Sequence, residues 1–353
     1  MTHCFATPSR AHRATTIGRR GASAGLLASM LACAVLCLQP AAAQPLPATP
    51  AQVAAFPNKT IRFIIPFVPG GSGDVVVRLV SQKLTEAWGQ PTILDNRAGA
   101  SGAIGLQAAA KSPPDGYTLV LGTSSTHSIN PILQRDLGYD PVKDFAPVAM
   151  LIVIPNIIVA HPSVPAANIK ELIVLARSKP GALSFASNGN GTSSHMAGEL
   201  LNLEAGIKLS HIPYKGAGQA INDALGGHVQ LLMGAVATSL PHVNSGKLKA
   251  LGVTSLQRSA AAPNVPTVAE SGLPGFEVVQ WFGIFAPVTT PREIVAKLNT
   301  EINRALTSAE VKAEFTRQGF GIENRTPDQF ATYMKGESVK WAKLIKEAGI
   351  KGD

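Results

Sequence analysis

Four short loops of the sequence are rich in glycine, serine, threonine and asparagine, residues that expose main-chain N–H groups and hydroxyls. They span residues 69–74, 122–127, 187–194 and 213–218, and each follows an apolar run predicted to be a strand. Where such a loop leads into a helix, the first N–H groups have no main-chain partner, and the helix dipole favours an anion there. Lys215 is the only cation in these loops, so we expect main-chain amides and hydroxyls to hold the anion.

The first loop shows the strand–turn–helix pattern most clearly. Residues 61–65 form a short run rich in β-branched and aromatic residues, typical of a buried strand. Pro69-Gly70-Gly71 then forces a turn. Apolar residues from Val75 to Trp88 recur at helical spacing. Any one such loop is explained equally well as a tight turn with an N-cap, so the indication comes from all four having similar composition.

Catalytic signatures are missing from the chain after its leader. It contains no G-x-S-x-G nucleophile elbow and no Walker A loop, and Val76 stands where a dinucleotide fingerprint needs its third glycine. Its histidines show no zinc spacing with Cys, Asp or Glu. His195 beside Ser193 and Ser194 could serve a nucleophile, although a helix-start histidine that bonds its own loop is the simpler interpretation. No cofactor is predicted.

The N-terminal segment predicts export. Four arginines without an acidic residue precede an apolar run over residues 22–38, and Ala41-Ala42-Ala43 forms a small-residue cleavage site. We therefore interpret residues 1–43 as a signal peptide and residues 44–55 as a linker rich in proline and alanine. The Arg19-Arg20 pair leaves open whether export follows the general or the twin-arginine route. A periplasmic location is expected.

Cysteine and charge narrow the class further. All three cysteines (Cys4, Cys33 and Cys37) precede the predicted cleavage site, so the mature chain has no disulfide or thiolate metal site. Removing residues 1–43 takes away four arginines and no acid, which lowers the formal net charge from +9 to +5. No basic cluster interleaved with aromatic residues is present, which argues against nucleic acid as a partner.

Strands alternate with helices along the mature chain, which predicts α/β architecture with mostly parallel sheets and helices on both faces. Residues 148–160 form a longer apolar stretch, interrupted by Pro155-Asn156, that we interpret as the crossing into a second lobe. We expect one lobe from residues 56–155 plus 276–353 and another from 156–275. Threonines at 290, 307 and 326 and Asn168 have the spacing of helix N-caps.

Several motifs, in this order, closely resemble the tripartite tricarboxylate transporter substrate-binding proteins (TctC), also called the Bug receptors of Bordetella and its relatives. The resemblance covers essentially the whole mature chain. The residues that carry it are Pro66-Phe67-Val68-Pro69-Gly70-Gly71-Ser72-Gly73-Asp74, Asn96-Arg97-Ala98-Gly99-Ala100, Pro114-Asp115-Gly116-Tyr117, Tyr139-Asp140-Pro141-Val142-Lys143-Asp144-Phe145, Asn188-Gly189-Asn190-Gly191-Thr192-Ser193-Ser194-His195, Pro213-Tyr214-Lys215-Gly216 and Val265-Pro266-Thr267-Val268-Ala269-Glu270-Ser271-Gly272.

This resemblance implies a two-lobed periplasmic binding protein of the Venus-flytrap kind (type II-like), which closes on a small carboxylate and delivers it to membrane permease subunits. It implies that the ligand carboxylate is bound by the loop after the first strand and by a loop of the other lobe, partly through bridging waters. Carried onto this sequence, the binding residues are Phe67, Gly70, Gly71, Ser72, Gly73 and Asp74 from one side, Asn188, Gly191, Thr192, Ser193 and His195 from the other, and Thr123, Ser124, Ser125 and Lys215 lining the same cleft.

The sequence departs from the family at two points. Gly73 replaces a residue that often carries a hydroxyl, and Gly234-Ala235 lacks a polar side chain. Both departures leave the ligand undecided among citrate-like, acidic amino-acid and aromatic carboxylates. We expect a monomeric, non-enzymatic carrier. A ligand-presenting sensor for a signalling receptor and an exported serine hydrolase remain alternatives.

Overall fold

The computed structural model describes residues 47–134 and 136–350, and the predicted signal peptide therefore lies outside the described residues. Within that part of the chain, no helix is both long enough and apolar enough to span a bilayer. Helices and strands alternate for most of its length. The helices are α1 (Pro50–Ala55), α2 (Ser72–Trp88), α3 (Ala103–Ala110), α4 (Asn130–Leu133), α5 (Ile169–Ser178), α6 (Ser193–Ala205), α7 (Ala217–Leu225), α8 (Val236–Asn244), α9 (Arg292–Thr307), α10 (Ala309–Arg317) and α11 (Pro327–Glu347).

The strands are β1 (Ile61–Ile65), β2 (Thr92–Asn96), β3 (Thr118–Thr123), β4 (Phe145–Ala160), β5 (Ser184–Ser187), β6 (Ser210–Pro213), β7 (Leu231–Ala235), β8 (Lys249–Val253), β9 (Val279–Pro287) and β10 (Gly321–Ile322). They pair in the order β2-β1-β3-β9-β4-β7-β5-β6, with β8 and β10 also paired to β4. We call the strands from β2 to β4 with β10 the first sheet, and those from β4 to β6 with β8 the second sheet. The α/β class expected from the sequence is confirmed.

The expectation of mostly parallel pairing holds only in the outer part of each sheet. The pairs β1–β2, β1–β3, β5–β6 and β5–β7 are parallel, as the strand–helix alternation predicts. The pairs that β4 and β9 make are antiparallel. β4 and β9 are long neighbouring strands that run in opposite directions through the middle of the molecule. Their pairing therefore does not need the crossover helix that joins parallel neighbours.

Strand β4 connects the two sheets. Its residues from Phe145 to Pro155 pair with β9, and those from Asn156 to Ala160 pair with β7. Pro155 and Asn156 therefore mark the change of partner strand, where the loss of the proline N–H costs the ladder least. The stretch interpreted from sequence as a crossing is one continuous strand.

Side chains of β4 contribute to four apolar clusters of the core. Ile152 and Ile154 join the cluster that contains α2 and α9, whereas Met150 faces the cluster with α3 and the first half of α11. Beyond Pro155, Ile158 faces α5 and α6, and Ile157 faces α7 and α8. Alternation places Ile157 and Ile158 on opposite faces, and the register shift between Met150 and Ile152 separates those two side chains, so one strand contributes to four apolar clusters. Each fully buried aliphatic side chain there contributes about 1.5–3 kcal/mol.

The C-terminal half of α11 reaches a different layer from its first half. Trp341 and Leu344 pack in the same cluster as Met196 and Leu200 of α6, which belong to the second sheet. Ile129 lies in that cluster as well. The lobe boundaries expected from the sequence (56–155 plus 276–353, and 156–275) stay a prediction, with α11 bridging the two proposed units.

Helix starts follow the predicted capping in part. Asn168 accepts a hydrogen bond from Glu171 N–H, and Thr326 forms a capping box with Gln329. At α9, however, the capping position is occupied by Pro291, while the predicted cap Thr290 donates its hydroxyl proton to Pro287 O at 2.7 Å. Similarly, Ser308 and not Thr307 precedes α10. A hydroxyl with a nearby carbonyl acceptor can satisfy itself without capping.

Candidate functional site

The loop between β1 and α2 brings main-chain N–H groups to the carboxyl end of the first sheet. Gly70 has a φ of +84°, a conformation that glycine adopts without a Cβ penalty. Gly73 is required for a different reason, because a Cβ there would stand 2.6 Å from Leu121 Cδ2. A larger residue at this position would therefore require the Leu121 side chain to shift.

Asp74 is buried in the first turn of α2 and ties the loop together. Its carboxylate accepts hydrogen bonds from Gly70 N–H at 3.3 Å, Asn96 Nδ2 at 3.2 Å and Arg78 Nη2 at 3.1 Å. Asn96 Nδ2 also donates to Phe67 O at 3.1 Å. Burial raises the pKa of Asp74, but the hydrogen bonds from Arg78, Gly70 and Asn96 outweigh it and hold the pKa below its usual value. Asp74 therefore orders the loop.

The end of β3 supplies a second polar segment. Thr123 and Thr126 bond each other, with Thr123 N–H donating to Thr126 Oγ1 at 2.9 Å. Ser124 is fully buried, and its Oγ has no hydrogen-bond partner among the described residues. Ser125 begins a π-helical turn that ends at Ile129. Ser128 Oγ, in the same turn, is likewise buried without a partner in the described residues, so this segment presents two unsatisfied hydroxyls.

His127 follows in the same turn but belongs to the core. Its ring stacks on Phe285 at 4.0 Å between centroids. Burial lowers the pKa of His127 to about 3, so the ring is neutral. Trp281 is fully buried beside it.

The loop between β5 and α6 is held by its own side chains. Thr192 caps the helix and donates from Oγ1 to Gly189 O at 2.7 Å. Ser194 Oγ accepts from Asn188 N–H at 3.0 Å. His195 Nδ1 accepts from Gly191 N–H at 3.2 Å. These bonds fix the loop but also use several of the N–H groups that could have met a ligand.

A stacked pair of histidines supports this loop from below. The rings of His195 and His211 lie 3.9 Å apart with an interplanar angle of 11°, and His211 Nε2 lies 2.6 Å from Ser187 Oγ. Burial, and to a lesser degree the charge of His195, lowers the pKa of His211 to about 4. The pair therefore anchors both ends of the loop, at Ser187 and at Gly191, while His211 is neutral.

The same histidines and Glu199 have ligand atoms within 4.8 Å of one another. This set does not suit a metal ion, because nearly parallel rings direct their in-plane lone pairs side by side and not towards one point.

Main-chain N–H groups at both helix starts remain available. Those of Ser72 and Gly73 in α2, and of Ser193 and Ser194 in α6, donate to no acceptor within the described part of the chain. Such groups carry the positive end of the helix dipole. One pair belongs to the first sheet and the other to the second. These donors form the candidate anion site.

The remaining predicted residues are placed around these two helix starts. The loop between β6 and α7 adjoins the second one, since a Cβ on Gly189 would stand 3.2 Å from Tyr214 O, and Lys215 beside it is exposed. Across from this loop, a Cβ on Gly191 would stand 3.3 Å from Asn130 Oδ1 and 3.1 Å from Leu133 Cδ1. The segment after β3 therefore approaches the β5–α6 loop directly.

Sequence reasoning missed two side chains at this place. Asn96 positions both Phe67 and Asp74, as described above. Asn156 is 3 % exposed, and its Nδ2 has no partner in the described residues. Alternation along β4 places Asn156 on the same face as Ile158, which packs in the cluster with Met196 of α6. The interruption of an apolar run by a polar residue was the signal for it.

Two sheets joined by a shared strand, with free helix N-termini contributed by each, define a solute-binding protein of the two-lobed α/β class. A family model described as tripartite tricarboxylate transporter family receptor (TctC) matches residues 76–350, and the chain belongs to this family. BugT of Bordetella pertussis is 39 % identical over 305 residues, which cover 86 % of this chain and 94 % of that protein.

Solved structures agree with this assignment. Rpa4515 of R. palustris, determined with adipate, has a TM-score of 0.73 and 34 % identity, covering 84 % of this chain and 100 % of the other. MatC from Rhodopseudomonas palustris with bound malate has a TM-score of 0.68 and 34 % identity, covering 82 % of this chain and 100 % of the other. The resemblance and the fold class drawn from the sequence are thereby confirmed.

Proposed function

We propose that this protein is an exported periplasmic receptor that binds a small organic carboxylate between its two sheets and delivers it to the permease subunits of a tripartite tricarboxylate-type transporter. The observation that carries the proposal is the set of free N–H groups at the starts of α2 and α6. The related structures with adipate and malate support a carboxylate as the guest. The predicted signal peptide, cleaved near Ala43, supports a periplasmic location.

Main-chain donors are sufficient for useful affinity. A helix N-terminus contributes about 0.3–1 kcal/mol towards an anion and up to about 2 kcal/mol when partly buried. Each charge-assisted hydrogen bond adds about 1.5–3 kcal/mol before ordering costs. Three or four such bonds reach the roughly 8 kcal/mol that corresponds to a micromolar dissociation constant. The ligand is therefore held without an arginine in the binding loops.

We further propose that binding closes the molecule about β4 and β9, with the lobe boundaries given by the sequence. Closure needs ligand contacts that differ between open and closed states. The free donors meet that need, because one pair lies at the edge of each sheet. Of the fifteen predicted residues, Ser72, Gly73 and Ser193 act in this scheme as main-chain donors, and Asp74, Thr192 and His195 act as supports of the loops.

A panel of carboxylates tests the function. We expect malate, adipate or a close analogue to raise the melting temperature of the mature protein, and mass spectrometry of the natively purified protein to find a small carboxylate. The uncharged diamides of the same acids serve as controls and should not stabilise it. Stabilisation by the diamides alone, or by no carboxylate in the panel, would contradict the proposal.

Two other functions from the sequence remain testable. In a serine hydrolase, Ser193 or Ser194 would be activated by His195, but Ser194 Oγ instead accepts from Asn188 N–H and bonds Thr192 Oγ1 at 2.9 Å. We expect no labelling of the mature protein by a fluorophosphonate. A sensor would use the same cleft, and neighbouring genes for a permease or for a kinase separate transport from signalling.

A further inference from the structure

A cavity of about 610 Å³ lies on the molecule beside the strands that join the two sheets. Its walls come from β4, from the segment after β8, from β9 and β10 with their neighbours, and from α11. The lining residues used below are Val153, Pro155, Arg258, Glu277, Phe320, Glu323, Arg325 and Tyr333. All of its lining residues are described, and none of them is among those predicted to bind the carboxylate. The cavity is therefore separate from the candidate carboxylate site.

Cations around this cavity already have partners. Each forms an ion pair with its own carboxylate, and the pairs are Arg258 with Glu270 at 2.9 Å, Arg325 with Glu323 at 2.9 Å, and Lys340 with Glu337. Because these charges cancel pairwise, the arginines of the wall do not leave an unpaired positive charge for an anion. This cavity therefore offers no free positive charge to an anion, whereas the candidate carboxylate site offers the positive ends of helix dipoles.

Glu277 is the acidic group without such a partner. Its main-chain carbonyl accepts from Lys340 Nζ at 3.2 Å, but no donor among the described residues bonds its carboxylate. Burial raises the pKa of Glu277, Glu337 and Glu323 add to that effect, and Lys340 and Arg325 oppose it. A carboxylate held in a poorly solvated wall gains most from a ligand that brings hydrogen-bond donors and positive charge.

Tyr333 provides a second unsatisfied group in the same wall. Its ring lies under the guanidinium of Arg325, 4.6 Å from the centroid, which fixes the ring. Its hydroxyl oxygen is buried and has no hydrogen-bond partner in the described residues. A tyrosine hydroxyl oxygen can accept a hydrogen bond from an ammonium, although a carboxylate accepts more strongly. Apolar side chains of Val153, Pro155 and Phe320 complete the wall.

We propose that this cavity binds a small organic cation, a primary ammonium on a short apolar chain, with its N–H groups donating to Glu277 and Tyr333 Oη. The apolar chain lies against Val153, Pro155 and Phe320. An ammonium fits because it is a donor only, whereas an anion would face the unpaired Glu277 carboxylate. This second ligand is independent of the carboxylate proposed above.

Titration calorimetry with n-hexylammonium chloride on the mature protein tests the proposal. We expect one saturable site at neutral pH and low salt, weakened about tenfold or more by the isosteric change Glu277→Gln, which removes the charge and keeps the shape. Glu347→Gln, an exposed residue at the end of the same helix as Tyr333, is the matched control and should leave binding unchanged. The uncharged 1-hexanol should not compete.

Further variants separate the outcomes. Tyr333→Phe removes only the hydroxyl oxygen and should weaken n-hexylammonium binding severalfold, with circular dichroism confirming the fold. Asp74→Ala should keep n-hexylammonium binding while it loses carboxylate binding, so that failure of either proposal is recognised separately. No saturable binding by the parent protein, or equal binding by parent and Glu277→Gln, would overturn the proposal.

Discussion

The buried carboxylate of Asp74 accepts hydrogen bonds from Gly70 N–H, Asn96 and Arg78, and through them it holds the chain from Phe67 to Gly73 in place. Ser194 and His195 act in the same way on the β5–α6 loop. At the scale of single residues, the polar side chains of the site therefore support main-chain donors. The donors themselves are main-chain N–H groups and do not depend on which side chain their residue carries.

Replacing Asp74 by alanine tests this division of roles. The change removes the hydrogen bonds that the carboxylate accepts from Gly70 N–H, Asn96 and Arg78, so we expect the affinity for the best carboxylate to fall at least about tenfold. The fold should persist, because the apolar cluster around α2 is untouched. Calorimetry measures the affinity and circular dichroism the fold, with Lys83→Ala on the same helix as a control. Unaltered affinity would count against the placement of the site.

Gly73→Ala tests how closely Leu121 packs against the start of α2. The new Cβ would meet Leu121 Cδ2 at 2.6 Å, so we expect the free energy of unfolding to fall by about 1–3 kcal/mol. Because Gly73 has no positive φ, the cost is steric. The double variant with Leu121→Ala should lose less stability than the sum of the single changes. Additive losses in urea unfolding would show that this contact is not the cause.

At the scale of elements, β4 carries the junction between the sheets and the helix starts carry the site. Pro155 and Asn156 mark the point where β4 exchanges β9 for β7 as its partner. Asn156 Nδ2 is a buried donor without a partner in the described residues. Such a group costs about 1–3 kcal/mol unless something bonds it.

Asn156→Leu should separate stability from binding. Removing an unsatisfied amide from the interior is expected to leave the free energy of unfolding unchanged or to raise it by about 1 kcal/mol, while carboxylate affinity falls. Asn299→Leu is the matched control, since Asn299 Nδ2 donates to Val148 O and Arg325 O, and this change should destabilise the protein. Strong destabilisation by Asn156→Leu would mean that its amide is satisfied within the protein.

The two neutral histidines, His211 and His127, make the stability of the protein depend on pH. Burial lowers the pKa of His211 to about 4 and that of His127 to about 3, below the value of about 6.5 in an unfolded chain. Below pH ~6.5 the unfolded chain binds more protons than the folded chain, so stability falls as pH decreases towards 4. We expect the melting temperature to drop across this interval.

His211→Gln is the variant for this measurement. It keeps a hydrogen-bonding group near Ser187 Oγ but cannot titrate, so the decline in melting temperature between pH 6.5 and 4 should become shallower than in the parent. His242→Gln, a variant of a half-buried histidine in the last turn of α8, provides the comparison. Identical pH profiles for parent and His211→Gln would exclude the stacked pair as a cause.

At the scale of the whole molecule, two sheets share β4, and the C-terminal half of α11 packs into the core of the second sheet. We expect these connections to limit the relative motion of the proposed lobes to bending about β4 and β9. The predicted closure therefore requires small changes at few backbone positions.

Small-angle scattering measures the closure. We expect the radius of gyration of the mature protein to decrease when the carboxylate that gives the largest thermal shift is added, because ligand contacts favour the closed state. The Asp74→Ala variant should show no decrease at the same ligand concentration. An unchanged radius in the parent protein at saturation would contradict hinge closure while leaving binding itself unaffected.

Most of the local structure was decided by the sequence. The apolar run before Pro66, the glycine turn and the helical spacing after it specify β1, the loop and α2, and the spacing around Asn168 and Thr326 specifies two helix starts. These features depend on interactions within a few residues of one another, so composition and periodicity suffice. The order of the motifs was likewise enough to reach the family.

The tertiary structure decided what those elements do together. Only packing shows that Leu121 lies close against Gly73, that Asn96 and Asp74 share one hydrogen-bond network, and that α11 bridges two cores. Antiparallel pairing of β4 with β9 also depends on residues more than a hundred positions apart. Such contacts are set by which surfaces meet after folding, and no local pattern in the chain records them.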